Sequence, residues 1–444
     1  MSKILYDSLE KYSLSNRSSF HTPGHKQNAF RSVDFFKFDY TELPETDNLY
    51  DASGIIKAAE NSLAEIYDTK RSLFSCGGNT LCIQAMIRLC APNGGKILCD
   101  RVAHRSAVAA MALLGVDPVW IERQMDPEAG HLERISAKEI ETKLLGAKDI
   151  KAVYITSPDY YGILQDIKAI ASVCRKFKIP LMVDNAHGSH LKFVGENLHP
   201  IDQGATMSAD SAHKTLPVLT GGAWLHINDE IFCSESKRAM ALFGSTSPSY
   251  SIMASMDLCQ DWLRIWGESK FKETAENVNK VRKLAKEVGI YIPDESISDP
   301  CRITLGVWKI GMTGEEFRNH LYKFKIEPEF CDKNYVVLIP APFNMRIDWS
   351  RLKSAINNLK KIDFIPRKDE FKSFGLPKVS MSLREAMLSE TQRVDTENAV
   401  GNVAAEIACP CPPGVPIVMP GENIGEFEKN LLINYGVSKI NVVK

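Results

Sequence analysis

Residues 208–219 read SADSAHKTLPVL and place a single lysine, Lys214, in a turn. A TGG turn and a strand-like run at residues 223–227 follow it. An amine at such a turn can form a Schiff base with a carbonyl cofactor, although most lysines are solvated surface residues. The sequence upstream of this stretch decides between the two interpretations.

A short apolar run at residues 179–183 ends in Asp184, upstream of Lys214. Open α/β sheets bind ligands at the carboxyl ends of parallel strands, where this carboxylate is predicted to lie. Pyridoxal phosphate requires a lysine for its aldehyde, a carboxylate that keeps its pyridine nitrogen protonated, and donors for its phosphate. Lys214 and Asp184 fit the first two requirements.

Six segments in order resemble the bacterial ornithine/lysine/arginine decarboxylases, which are pyridoxal-phosphate enzymes of fold type I, the aspartate-aminotransferase fold. The segments are HTPGHK at 21–26, TELPETDNL at 41–49, DNAH at 184–187, SAHKTL at 211–216, STSPSY at 245–250, and PPGVP at 412–416 through PGE at 420–422. The resemblance implies a decarboxylase that converts lysine, ornithine or arginine into a diamine or agmatine and CO2, as in polyamine biosynthesis. An aminotransferase or another pyridoxal-phosphate lyase remains an alternative because a fold does not determine a reaction. A catalytically silent binding protein is a third possibility, which the intact Lys214 and Asp184 disfavour.

The fold class expected is α/β, with a mostly parallel sheet of the seven-stranded type, a smaller α+β domain and a C-terminal domain. The boundaries predicted are 1–50 for an N-terminal arm, 51–265 for the large cofactor-binding domain, 266–360 for the small domain and 361–444 for the C-terminal domain. The boundary between the large and the small domain rests on a predicted break at residues 259–270. The resemblance also implies a compact form without the wing domain of the large inducible enzymes.

Composition excludes several classes of protein. The chain has 444 residues and is 44% hydrophobic. Its net charge is −1, so no positive electrostatic field attracts nucleic acid or an acidic membrane. Its 11 cysteines lack a disulfide or zinc-finger pattern, which favours a reducing cytoplasm and no metal site. No signal core or membrane-spanning apolar run is present. A small-molecule substrate is therefore expected.

The phosphate cradle is predicted at the turn that precedes a helix over residues 80–91. Backbone amides of Gly78 and Asn79, with the side chain of Thr80, can approach an oxyanion there, and the helix dipole favours negative charge. Asn79 departs from the family pattern, which has a hydroxyl residue at that position. Ser211 and His213 complete the predicted cradle.

Other roles follow from the resemblance and from the position of each residue after a predicted strand. His104 is expected to stack on the pyridine ring, Ala186 to lie against the cofactor, and His187 to act near its phenolic oxygen or the substrate carboxylate. Lys214 or a nearby histidine would protonate Cα. Asp159 replaces a family threonine, which weakens the case for Tyr160 and Tyr161. Arg302 favours the aminotransferase alternative, since such an arginine binds a substrate carboxylate.

The resemblance also implies a homodimer with shared active sites, in which the N-terminal arm carries His25 to the partner's site. Ser245, Thr246 and Ser247 would contact the partner's phosphate. The residues predicted to bind the basic amino acid are His25, Glu42, Asp47 and Glu422. For Glu42 and Asp47, an ordinary loop position is an equal alternative. The choice among the three substrates, any effector and any assembly larger than a dimer stay open.

Overall fold

The computed structural model describes residues 3–195, 197–359, 375–409 and 416–444. Its helices are α1 Ile4–Ser13, α2 Ile55–Tyr67, α3 Gly78–Cys90, α4 Arg105–Leu114, α5 Ala137–Gly146, α6 Ile167–Phe177, α7 Ala212–Thr215, α8 Ser236–Ala241, α9 Tyr250–Glu287, α10 Gly314–Lys323, α11 Arg346–Asn358, α12 Leu383–Leu388 and α13 Glu426–Asn434. Its strands are β1 Ser18–Phe20, β2 Arg71–Ser75, β3 Gly95–Asp100, β4 Val116–Ile121, β5 Ile150–Thr156, β6 Leu181–Asp184, β7 Met207–Asp210, β8 Ala223–Ile227, β9 Ile303–Gly306, β10 Ile326–Pro328, β11 Phe330–Cys331, β12 Tyr335–Leu338, β13 Thr391–Asp395 and β14 Lys439–Val443.

A seven-stranded sheet in the order β2-β8-β7-β6-β5-β3-β4 forms the centre of the large domain. Strand β8 runs antiparallel to both its neighbours, and the pairs from β7 to β4 are parallel. Strands β6 and β7 are buried along their whole length, as expected when helices cover both faces of a parallel sheet. The predicted fold class is confirmed.

Apolar helices cover the two faces of this sheet. Helices α3 and α4 contribute Ile83, Met86 and Val108 to one core cluster, together with inward side chains of the strands. Helices α5 and α6 contribute Ile140 and Ile170 to the cluster on the other face. The sheet is thus held rigidly between two layers, and its strand ends can position a site.

The predicted break at residues 259–270 is wrong, because this stretch lies inside the 38-residue helix α9. Its buried residues continue at intervals of three or four through the supposed boundary: Cys259, Leu263, Gly267, Phe271, Thr274 and Val278. That spacing keeps one apolar stripe against the core. The division of the chain into four domains stays a prediction, with α9 extending from the large domain into the small one.

The segment predicted to form the small domain contains a three-stranded antiparallel sheet, in the order β11-β12-β9. A separate core cluster joins it to α10, α11 and the second half of α9. The N-terminal segment is tied to this region because β1 pairs in parallel with β10. Farther along the chain, β13 and β14 form an antiparallel pair with their own core.

Candidate active site

The segment that carries Lys214 begins where β7 ends, at the fully buried Asp210. The Asp210 carboxylate accepts hydrogen bonds from Ser208 Oγ (2.6 Å), Asn185 Nδ2 (2.9 Å) and His199 Nε2 (2.9 Å). Burial opposes ionisation, but His199 and the other donors outweigh it and lower the pKa of Asp210. A fixed charge with three donors therefore holds the strand end from which Lys214 projects.

Lys214 is half-buried among charged and polar groups. Its Nζ is 3.0 Å from His187 Nε2. Burial lowers the pKa of Lys214, Asp184 and Glu329 oppose this shift, and Arg302 adds to it. A lysine with a lowered pKa has a larger fraction of neutral amine, which is the nucleophilic form.

Asp184 ends β6, the strand next to β7, and its carboxylate is buried. One oxygen accepts from Asn79 Nδ2 (2.9 Å) and from the Ala186 N–H (3.1 Å), and the other accepts from the Tyr154 hydroxyl (3.0 Å). Burial raises the pKa of Asp184, while His104, Lys214, the Tyr154 hydroxyl and the Ala186 N–H oppose the rise. The amine and the carboxylate predicted from the sequence are thus brought to neighbouring strand ends.

His187 is held between Lys214 and Arg302. Arg302 Nη1 lies 3.4 Å from His187 Nδ1, and Arg302 Nη2 lies 3.4 Å from the His187 carbonyl oxygen. Burial, together with the charges of Lys214 and Arg302, keeps the pKa of His187 well below its usual value. An arginine can only donate, so Nδ1 accepts, and the proton of the neutral ring belongs on Nε2, facing Lys214.

His104 caps the first turn of α4, where its Nδ1 accepts from the Ser106 N–H (3.3 Å) and lies 2.7 Å from Ser106 Oγ. Burial lowers the pKa of His104, and the nearby Asp184 charge opposes the shift. The cap fixes the imidazole close to the Asp184 and Lys214 pair. Stacking on a cofactor ring stays a prediction.

The structure changes the predicted phosphate cradle. The Gly78 N–H donates to the Gly221 carbonyl (2.8 Å), so its predicted role toward phosphate is wrong. The Asn79 side chain points to Asp184 instead. The amides of Asn79 and Thr80 remain in the first turn of α3, where N–H groups lack intrahelical acceptors. Ser211 is buried nearby at the start of α7, and His213 Nδ1 lies 2.9 Å from the Gly222 carbonyl oxygen.

Two of the predicted substrate-binding acids have other partners. Asp47 accepts from the backbone N–H groups of Ser53, Gly54 and Ile56 at 2.9–3.0 Å and so caps α2. Glu422 is buried and accepts from Arg101 Nη1 (2.6 Å) and Nη2 (2.8 Å). Both substrate-binding assignments are therefore wrong, because each carboxylate already accepts hydrogen bonds from donors that lie beside it in the fold. Glu42 accepts from Thr41 Oγ1 (2.7 Å), and its contact with substrate stays a prediction.

The turn that carries His25 packs on its own chain, and the contact of His25 with a partner subunit stays a prediction. The Gly24 N–H donates to the His213 carbonyl (2.8 Å). A Cβ at Gly24 would lie 2.5 Å from the Thr215 carbonyl carbon, so the close approach depends on glycine. His25 lies beside His213, and burial lowers its pKa. His25 thus borders the active site of its own chain.

The sequence did not identify Tyr154 or Glu329 and argued against Tyr160. Glu329 follows β10 and accepts from the Thr22 N–H (2.7 Å) and the Tyr160 hydroxyl (3.2 Å). The Tyr160 ring packs edge-on against His187, with 5.0 Å between ring centroids. No local pattern links these residues; only the β1–β10 pairing and the packing of the two domains bring them together.

Two groups of positions considered above lie outside the described residues, namely 412–415 of PPGVP and one of the 11 cysteines, Cys411. The ten described cysteines are all free thiols. Within the described ranges, no helix is both long enough and apolar enough to cross a bilayer.

The sheet order with one antiparallel strand, and the lysine and carboxylate at its strand ends, define an α/β protein of the fold-type I class. An L-threonine transaldolase from Pseudomonas fluorescens, solved in its internal aldimine state, has this fold with a TM-score of 0.62 and 13% identity over 81% of this chain and 87% of that one.

The sequence also matches a family description, Orn/Lys/Arg decarboxylase, major domain, over residues 4–292, and the C-terminal domain of that family over residues 368–436. The chain therefore belongs to the Orn/Lys/Arg decarboxylase family. It is 28% identical to an arginine decarboxylase of Bacillus subtilis over 96% of this chain and 93% of the relative. A lysine decarboxylase from Francisella novicida has a TM-score of 0.79 and 19% identity, over 98% of this chain and 80% of that structure.

The first prediction separates a helix cap from a substrate ligand at Asp47. Partial burial opposes ionisation, but the N–H groups of Ser53, Asn48, Gly54 and Ile56 outweigh it and lower the pKa of Asp47 to about 2. We expect Asp47→Ala to lower the free energy of unfolding in urea by about 1 kcal/mol at pH 7. Michaelis constants should stay within about twofold of wild type, because a capping carboxylate does not touch substrate.

The pH dependence follows from the sign of this shift. Because the pKa is depressed on folding, the stabilisation is complete above the unfolded value of about 3.9 and disappears as pH falls toward 2. The wild-type advantage over Asp47→Ala should therefore shrink below pH 4. Glu45→Ala, which changes an exposed acid of the same loop, is the control. A large rise in Michaelis constant for Asp47→Ala alone would contradict the capping role.

Proposed function

We propose that this protein is a pyridoxal-phosphate-dependent decarboxylase of a basic amino acid, namely lysine, ornithine or arginine. The observation that carries the proposal is the pair formed by the half-buried Lys214 and the buried Asp184 at adjacent strand ends. Membership of the Orn/Lys/Arg decarboxylase family supports the reaction, and the nearly full-length arginine decarboxylase relative makes arginine the first substrate to assay.

The residues present fit the proposed cofactor. Lys214 offers a neutral amine for the aldehyde, and Asp184 offers a carboxylate for the ring nitrogen. The first turn of α3 and Ser211 offer donors for the phosphate. When bound, pyridoxal phosphate supplies an electron-withdrawing ring that accepts the electron pair left at Cα as CO2 departs.

Lys214 is our proposed proton donor to Cα. His187 is a poor candidate because burial and two neighbouring cations keep its ring neutral. His187 instead orients the Lys214 amine through the 3.0 Å contact, and Arg302 fixes the His187 ring. This arrangement engages the Arg302 guanidinium inside the protein, which weakens the aminotransferase alternative that depended on it.

Glu329 is our proposed ligand for the distal cation of the substrate. It lies close enough to Lys214 to raise the pKa of that lysine, and two donors hold its carboxylate in place. The nearby Lys26 is buried and donates to the Ile339 carbonyl (2.8 Å). Burial lowers the pKa of Lys26 to about 7, with Glu329 opposing the shift, so Lys26 does not fully neutralise the Glu329 charge.

We further propose that the product is a diamine or agmatine used in polyamine biosynthesis, and that the enzyme acts in the cytoplasm as a homodimer. Free thiols at the ten described cysteines support a reducing compartment. Ser245, Thr246 and Ser247 are exposed on the single chain, as is Thr80 at the predicted phosphate end. An open phosphate end supports completion of the site by a second subunit.

We expect Lys214→Ala to abolish CO2 release from labelled arginine, lysine and ornithine, because the variant lacks the amine that is proposed to bind the aldehyde. The visible absorbance of the lysine-bound cofactor should disappear as well. Lys192→Ala, which changes a lysine paired with Asp202 by a salt bridge, is the control. An unchanged visible spectrum in Lys214→Ala would refute the assignment.

Removing the Glu329 charge should weaken binding of the substrate cation. For Glu329→Gln we expect kcat/KM for the preferred basic amino acid to fall about 10- to 100-fold, mainly through KM, because a charge-assisted contact is lost while the amide can still accept from Thr22. Steady-state kinetics of CO2 release provide the measurement. Glu327→Gln is the matched control, since Glu327 lies in β10, two residues before Glu329, and pairs with Arg17. A fall confined to kcat would instead indicate that Glu329 acts on the pKa of Lys214 and does not bind the substrate cation.

The homodimer is tested by mixing two inactive variants. Lys214→Ala removes the amine, and Thr246→Glu would place a carboxylate against the partner's phosphate. After joint unfolding and refolding, half the dimers are mixed, and each has one intact site, so about a quarter of wild-type activity should return. If mixed dimers form but activity stays at the sum of the separate variants, Thr246 serves its own chain.

A further inference from the structure

Asn79 occupies a position where the family pattern has a hydroxyl residue, yet its side chain is turned away from the predicted phosphate end. Its Nδ2 donates to Asp184 Oδ1 at 2.9 Å, and the residue is only 8% exposed. Asn79 belongs to the first turn of α3, and Asp184 ends β6, so this contact joins a helix start to a strand end.

A second donor holds the other Asp184 oxygen. The Tyr154 hydroxyl donates to Oδ2 at 3.0 Å from the neighbouring strand β5. Together the two side chains fix both carboxylate oxygens and stabilise the ionised form, because hydrogen bonds to a carboxylate favour its charge. A buried carboxylate without such donors takes up a proton instead.

We propose that Asn79 is a positioning residue for the ring-nitrogen end of the cofactor, acting through Asp184, and that it replaces a hydroxyl contact at the phosphate end. This inference rests on the proposed pyridoxal-phosphate site. The cofactor's ring nitrogen and Asp184 compete for one proton. Donors to Asp184 reduce the proton affinity of its carboxylate, so they keep the proton on the ring nitrogen, where it makes the ring an effective electron acceptor.

The Asn79 backbone is still free to serve the phosphate, because its N–H lies in the first turn of α3. Only the side chain has changed its role. Phosphate binding through the side chain would require Nδ2 to leave Asp184, which would then lose one of its two side-chain donors. The two roles therefore predict different results for the same substitutions.

The test measures cofactor affinity by absorbance and fluorescence titration, without substrate. Two probes are used: pyridoxal phosphate, and its 1-deaza analogue, in which a C–H group replaces the ring nitrogen. We expect Asn79→Ala to weaken pyridoxal phosphate binding about tenfold and to change binding of the deaza analogue by less than about twofold. Thr80→Ala, a change at the predicted phosphate end, should lower the affinity for both probes equally.

Asn79→Ser is the matched variant, because serine restores the family's hydroxyl but cannot reach Asp184. We expect it to behave like Asn79→Ala, whereas a phosphate role would leave its affinity at or above wild type. Cofactor labelled with 15N at the ring nitrogen gives an independent readout: the resonance should move toward neutral pyridine in both Asn79 variants and stay in place in Thr80→Ala.

Equal weakening of both probes by Asn79→Ala, with an unchanged 15N resonance, would overturn the inference while leaving the cofactor proposal intact. Wild-type protein that binds neither probe would overturn the cofactor proposal itself and this inference with it. Tyr154→Phe, which removes the other donor without changing the ring's shape, should shift the 15N resonance in the same direction. A 15N resonance that stays at its wild-type position in Tyr154→Phe, or in the two Asn79 variants, would also contradict the proposal.

Discussion

The rest of the site depends on a carboxylate buried beside an amine. Asp184 ends one parallel strand and Lys214 follows the next, and burial disfavours the charged form of each. The resulting shifts are opposite in sign, since the carboxyl pKa rises and the amine pKa falls. The rigid sheet between its two helical layers maintains this arrangement, because the strand ends cannot separate without disrupting the core.

Several parts of this arrangement could be predicted from the sequence because they are local. The strand before Asp184 and the turn around Lys214 each have a signature within a few residues. The seven-stranded sheet follows from a series of such local units joined by helices. The supposed break at residues 259–270 failed because a glycine and polar residues concealed an apolar stripe that continues at helical spacing.

The acidic side chains could not be assigned in the same way. A carboxylate in a loop has the same sequence signature whether it caps a helix, pairs with an arginine or faces a substrate. The Asp47 carboxylate accepts hydrogen bonds from N–H groups up to ten residues later in the chain. The Glu422 carboxylate accepts from Arg101, which lies 321 residues earlier. Glu329 emerged only from the three-dimensional pairing of β1 with β10, which sets Thr22 beside it.

The charges around Lys214 also explain why its neighbours are arranged asymmetrically. Arg302 lies on the far side of His187, so the imidazole separates the guanidinium from the amine and stays neutral between them. Glu329 and Asp184 oppose the resulting excess of positive charge. Replacing His187 by an apolar residue would leave the guanidinium and the amine without a polar group between them, whereas a second carboxylate there would favour protonation of the amine. A neutral imidazole is thus the group that keeps the lysine both oriented and nucleophilic.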